Sequence, residues 1–291
     1  MSIFVNERTR ILVQGITGHQ GSFNTMQMLK FGPTGSKVVA GTSPGKGGTE
    51  VYGVKVFNTV SEAMNEEPNA TFISVAAPYV MDAAKEAMYN GIDLIYILTE
   101  KVPYQDTMKI VSLAKKLGKT VVGPNGPGIT SPFSSKLGIM PNQIFKSGNV
   151  GVISRSGTLT YEIVNQITLA GFGESTVIGL GGDPVTGLNY IDCLEKFKND
   201  DQTEAVALVG EIGGTAEEEA AEYIKEKFNK PVVSYITGRS APKGKRMGHA
   251  GAIITRGKGT ADSKIKALEE AGVKVASYPY EVPTLLKEVL K

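Results

Sequence analysis

One alternation runs the length of this chain. Short runs rich in β-branched residues are separated by helical patterns from one end to the other, the sequence form of parallel βαβ architecture. In the first part, strands are expected at Arg10 to Gln14, Lys37 to Gly41, Ala70 to Ala76, Leu94 to Thr99 and Thr120 to Gly123. Between them, "VMDAAKEAMYNG" and "QDTMKIVSLAKKLG" each read as an amphipathic helix closed by a glycine. The stretch from Gly123 to Gly148 is proline-rich without a sustained period and reads as a linker. The alternation then restarts, with strands expected at Val150 to Ser154, Ser175 to Leu180, Ala205 to Gly210, Val232 to Ile236 and Val273 to Ala276. The expected fold is α/β throughout: a Rossmann-like domain over residues 1–124, then a flavodoxin-like parallel α/β domain over residues 125–291.

A chain of 291 residues is long enough to bury two cores. Its net charge of +2 offers no field for nucleic acid or a membrane surface. No apolar run approaches the ~18 residues of a spanning helix. The N-terminal "MSIFVNERTRILVQG" lacks the apolar core of a signal peptide, so a cytoplasmic location is expected. The single cysteine, Cys193, excludes an internal disulfide and a Cys-rich metal site, and its helical apolar position marks a buried structural thiol.

The 35 glycines fall in clusters. The first cluster, "VQGITGHQGSF", follows a strand and opens a helix, where glycines let the backbone approach a ligand and free N–H groups face an anion. Its spacing is GxxGxxG rather than the dinucleotide GxGxxG. The second strand ends in "GTSPGKGG", with Lys46 where a nicotinamide-dinucleotide site would carry an acid. A cation there suits a ligand with an extra phosphate, either NADP or coenzyme A. The echo of a Walker loop is discounted, because the spacing is short and Gly47 replaces the hydroxyl that would hold magnesium. His19, in the same cluster, reads as a hydrogen-bond donor rather than a catalyst.

Ligands of open parallel sheets bind beyond the carboxyl ends of the strands. In the second domain those ends carry "SRSGTLTYE", "GGDPVTG", "GEIGGT" and "TGRSAPKGKRMGHAGA". Ser154, Ser156, Gly157 and Thr158 stand at a helix start suited to phosphate. Glu211 lies at a strand edge, and His249 lies in a loop of glycines with Lys243, Lys245 and Arg246. A metal role for His249 lacks partners. General acid–base chemistry competes with nucleophilic attack on a phosphoryl group, and the second uses every part if Glu211 holds the other ring nitrogen's proton.

In order along the chain, "GITGHQG", "GTSPGKGGT", "ILTEKVP", "SRSGTLTYE", "GGDP", "GEIGG" and "APKGKRMGHAGAI" resemble the α-subunit family of succinyl-CoA synthetase, that is, succinate–CoA ligase, ADP- or GDP-forming. The resemblance covers nearly the whole chain. It implies a phosphohistidine at His249 stabilised by Glu211, and coenzyme A contacts from Thr17, Gly18, His19, Gln20, Lys46, Leu98, Thr99 and Glu100. It also implies Tyr161 at the substrate carboxylate. A β subunit with an ATP-grasp fold would hold Mg2+ with ADP/ATP or GDP/GTP, in an αβ heterodimer or (αβ)2 heterotetramer. One departure is Gly126, which stands where many relatives carry a cysteine, and a phosphohistidine route does not need that thiol. Rival readings are a related ligase acting on another acid, a non-catalytic coenzyme A-binding regulatory protein, and an NADP dehydrogenase.

Overall fold

The computed structural model describes residues 3–242, 247–254 and 259–290. It resolves the alternation into two units, Phe4–Asn142 with Val185–Gly187, and Gln143–Pro184 with Leu188–Lys291. In the first unit the order is β1 (Arg10–Gln14), α1 (His19–Leu29), β2 (Lys37–Thr42), β3 (Glu50–Val51), β4 (Val54–Phe57), α2 (Val60–Ala63), β5 (Ala70–Ile73), α3 (Val80–Tyr89), β6 (Leu94–Ile97), α4 (Tyr104–Leu117), β7 (Thr120–Val122), β8 (Gly128–Ser131) and β9 (Ser135–Gly138). The sheet runs β3-β4-β2-β1-β5-β6-β7, parallel except for the β3–β4 ribbon. The chain order reverses on either side of β1, the switch point of a Rossmann sheet. Leu12, Ile73, Ile95 and Val121 of the strands pack with Val80, Ala84 and Met88 of α3 and Ile110 of α4. Both expected helices form, and α4 ends on Gly118 at φ 65°, a conformation that glycine adopts without a Cβ penalty.

The second unit contains β10 (Ser147–Ser154), α5 (Gly157–Leu169), β11 (Glu174–Gly179), α6 (Tyr190–Lys198), β12 (Ala205–Glu211), α7 (Ala216–Lys227), β13 (Val232–Thr237), α8 (Ala261–Glu270), β14 (Lys274–Ala276) and α9 (Val282–Val289). Its strands lie in the order β14-β13-β12-β10-β11, all parallel, which is the flavodoxin arrangement. Every residue of β12 is buried, as a central parallel strand covered on both faces requires. Cys193 is fully buried on α6.

The linker expected over Gly123 to Gly148 is not one. It holds the antiparallel hairpin β8–β9, buried along both strands, and the first residues of β10. Strands buried on both faces show no alternation, and Pro127 and Pro132 flank β8, so the segment looks structureless in sequence. The short β3–β4 ribbon was likewise not expected. Among the described residues, no helix is long and apolar enough to cross a membrane.

Candidate active site

In the second unit, the carboxyl ends of β10 and β12 and the loops after β11 and β13 meet around His249. His249 Nδ1 lies 2.7 Å from Glu211 Oε2 at the end of β12. The Glu211 side chain is 5% exposed and that of His249 28%, so the carboxylate is sealed while the imidazole keeps an open edge. The hydrogen bond to Glu211 raises the pKa of the ring above its ordinary value, outweighing burial and the charge of Arg155, which lower it. Glycines make the seat: a Cβ on Gly182 would lie 2.2 Å from His249 Cγ, and one on Gly213 would lie 2.0 Å from Gly251 O. The loop is pinned by Gly251 N–H donating to Gly182 O at 3.1 Å.

Helix α5 starts beside this pair. Ser156 is its N-cap and accepts the Leu159 N–H, leaving no acidic residue in the first turn to compete with an anion. The buried Ser154 hydroxyl is spent locally, donating to Ser156 O and accepting its N–H, whereas the Thr158 side chain is exposed. Burial pushes the Tyr161 phenol up to about 12, so it stays a hydrogen-bond donor. The sequence reading overlooked Arg155, which is buried with Nη2 3.5 Å from Glu211 Oε1 and Nη1 3.4 Å from Glu217. An arginine one residue past a strand end, among loops expected to hold phosphate, was the available signal. Lys243, Lys245 and Arg246 lie outside the described residues.

In the first unit, the loops after β2, β1, β5 and β6, four adjacent parallel strands, follow one another along the sheet's carboxyl edge. Gly15 turns the chain at φ 81°, and a Cβ on Gly21 would lie 2.1 Å from Gly15 O, so α1 can begin directly on the turn. Gly18 caps α1 without a side chain, leaving the amides of His19 and Gln20 at an uncapped helix start. The Thr17 and Ser43 hydroxyls are 2.9 Å apart and tie the β1 and β2 loops together. Lys46 is exposed on a loop organised by Asn58, whose Oδ1 accepts the N–H groups of Gly45 and Gly47 at 2.9 and 3.0 Å. Asn58 also escaped the sequence reading. After β6, Leu98 and Thr99 bond back to Ile73 O and Val75 O, and Glu100 is exposed beside Lys101. A cavity of about 530 Å³ opens between these loops, lined by Gly15, Thr42, Pro44, Asn58, Val75 and Tyr79 among others. Free amides, an exposed cation and a largely apolar cleft suit a ligand that joins phosphate to an aliphatic arm.

Two family profiles match the chain, one described as a CoA binding domain over residues 6–101 and one as CoA-ligase over residues 153–274. The succinate–CoA ligase [ADP-forming] subunit alpha 2 of Archaeoglobus fulgidus is 55% identical over 291 residues, 100% of both chains. The corresponding α subunit of Methanothermobacter thermautotrophicus is 56% identical over 95% of this chain and 93% of its own. That of Staphylococcus aureus is 52% identical over 100% of this chain and 96% of its own. The chain belongs to the succinate–CoA ligase α-subunit family. In this α-subunit chain the coenzyme A-binding domain contains the Thr17–Gln20, Lys46 and Leu98–Glu100 loops, and the ligase domain contains Ser154–Thr158, Tyr161, Glu211 and His249. The fold recurs in Methanosaeta concilii ATP citrate lyase in complex with (3S)-citryl-CoA, with a TM-score of 0.90 over 99% of the present chain at 24% identity. This chain spans 50% of that longer one, and the likeness is one of fold.

Proposed function

We propose that this chain is the α subunit of an ADP-forming succinate–CoA ligase, interconverting succinyl-CoA, phosphate and ADP with succinate, coenzyme A and ATP through a phosphohistidine at His249. The observation that carries the reading is the 2.7 Å contact between His249 Nδ1 and Glu211. A carboxylate there fixes the tautomer with the proton on Nδ1, so the lone pair sits on Nε2. Phosphate attacks the succinyl-CoA carbonyl and expels the thiol, giving succinyl phosphate. His249 Nε2 then attacks phosphorus, the P–O bond to succinate breaks, and the ring becomes a phosphoimidazolium whose positive charge Glu211 offsets. Ser156, Gly157 and Thr158, at the start of α5, receive the phosphoryl oxygens, and Tyr161 addresses the substrate carboxylate.

Transfer onward restores neutral imidazole as the leaving group. The acceptor is a nucleoside diphosphate with Mg2+, held by a β subunit of ATP-grasp fold in an αβ or (αβ)2 assembly in the cytoplasm. ADP is proposed because the relatives are named ADP-forming. Coenzyme A is proposed to lie along the Thr17, Gly18, His19, Gln20, Lys46 and Leu98–Glu100 loops. The purified chain should show no ADP-dependent thioester cleavage alone and should gain it on addition of the β subunit. Full turnover by the isolated chain would contradict the assignment of the nucleotide to a partner.

A further inference from the structure

Behind the Glu211–His249 pair lies a set of buried charges that the proposed reaction does not use. Glu217, in the first turn of α7, is fully buried. Its Oε1 accepts the main-chain N–H of Glu211 at 3.2 Å and lies 3.4 Å from both Arg155 Nη1 and the Tyr190 hydroxyl. Its Oε2 accepts Lys264 Nζ from α8. Lys264, also fully buried, donates further to Gly214 O at 3.1 Å and Glu218 Oε2 at 2.8 Å. The space is shaped for this carboxylate, since a Cβ on Gly210 would lie 2.7 Å from Glu217 Cγ. Three glutamates open α7, and complementing the helix dipole explains such a run. It does not explain burying Glu217 and bonding it back to the site, because a buried charge needs every partner to offset its desolvation.

Arg155 is divided between the two carboxylates. Nη1 reaches Glu217 Oε1 at 3.4 Å and Gly213 O at 3.3 Å, and Nη2 stands 3.5 Å from Glu211 Oε1. Among the described residues that oxygen is buried without a hydrogen bond, while Oε2 of the same carboxylate takes His249 Nδ1 at 2.7 Å. An arginine released from Glu217 has an unfilled oxygen to close on, and guanidinium–carboxylate bonds contract to about 2.7–2.9 Å when geometry allows. That closure would draw the charge of Glu211 away from the imidazole.

We infer that Glu217 is a positioning residue for the phosphoryl-accepting pair: it bonds the main chain of Glu211 and holds Arg155 back from the Glu211 carboxylate, with Lys264 balancing its charge, so that the carboxylate stays committed to His249. The inference rests on the proposed role of His249. Among the described residues, the charged groups acting on His249 are Glu211, Arg155 and Asp183. Those against Glu217 are Arg155, Lys264 and, as a titratable neighbour, Tyr190.

The test is the titration of the His249 ring in the full-length chain, followed by NMR and paired with single-turnover phosphorylation by labelled ATP in the presence of the β subunit. The chain has two histidines, so His249→Asn assigns the signals. Glu217→Asp keeps the charge for Lys264 and retracts the carboxylate by one methylene. The double variant Glu217→Gln with Lys264→Met removes the pair without a net charge. Both should lower the His249 midpoint, carry the acidic limb of the phosphorylation profile down with it, and reduce the plateau rate about tenfold, less than general-base loss itself. Arg155→Gln should move the midpoint the other way. A purely structural Glu217 would lower thermal stability and rate with the midpoint unmoved, and the charge-balanced double variant would then restore both; an unmoved midpoint in the folded variants overturns the inference. The ring titration needs no phosphoryl transfer, so a wild-type chain that takes up no phosphate would count against the proposed function instead.

Discussion

The His249 ring and the backbone of Gly182 occupy adjoining space in which a single added carbon does not fit: a Cβ on Gly182 would lie 2.2 Å from Cγ and 2.4 Å from Nδ1. The glycine thereby sets where the ring stands relative to Glu211. Gly182→Ala should swing the imidazole toward solvent, its open side, and slow phosphorylation about 10²-fold, the cost of misplacing a reacting group by an ångström. The thermal midpoint should change little, because the displaced ring is partly exposed. Unchanged single-turnover phosphorylation in this variant would show that ring placement is not set here.

Glu211 raises the pKa of His249 through their hydrogen bond, so Glu211→Gln should lower it. Phosphorylation needs the unprotonated Nε2, and the acidic limb of the rate profile should move to lower pH while the plateau falls by about 10² to 10⁴. The stability sign follows from the same linkage. A histidine whose folded pKa exceeds the unfolded value of 6.5 contributes fully below that value and loses its contribution as pH rises through the folded pKa. Urea unfolding across this window should show a decline for the wild type that is absent in His249→Asn.

Lys46 is exposed on a loop whose shape Asn58 fixes. If it meets a coenzyme A phosphate, Lys46→Ala should weaken coenzyme A binding about tenfold to a hundredfold and reduce its salt dependence. Phosphorylation of His249 by nucleotide should be unaffected. Calorimetric titration with coenzyme A checks the first effect, and equal loss of both activities would place the lysine elsewhere.

Lys136, on β9, is fully buried and donates to Met140 O and Asn142 Oδ1 with no carboxylate partner among its described contacts. Burial lowers its pKa from 10.5 to about 8. Between those values the unfolded chain binds more protons than the folded one, so stability should rise with pH across the interval. Lys136→Met, close in volume, should remove that rise in a comparison of unfolding free energies at pH 7.5 and 10. An identical pH slope in both proteins would contradict the assignment.

The architecture was legible because parallel strands and amphipathic helices leave different periods in sequence, and because carboxyl-end loops collect ligand-binding groups. By that rule Glu211 and His249 share one crevice on sequence grounds alone. The hairpin β8–β9 was hidden because fully buried strands do not alternate and a buried lysine in β9 mimics a surface position. Arg155, Glu217 and Lys264 were hidden for a related reason. Each is charged in a segment where charge normally marks solvent, and only packing shows Glu217 and Lys264 to be fully buried and Arg155 nearly so. Gly182 carries no chemistry of its own, and its role exists only against the ring it makes room for.

The proposed reaction stands or falls with His249 as the phosphoryl acceptor. Incubating the chain and its β subunit with γ-labelled ATP, then mapping the label after digestion under alkaline conditions, tests it most directly. An acid-labile, base-stable phosphate is expected on the peptide containing His249, absent from His249→Asn and discharged by succinate with coenzyme A. Label retained by His249→Asn, or an acid-stable phosphate on another residue, would contradict it.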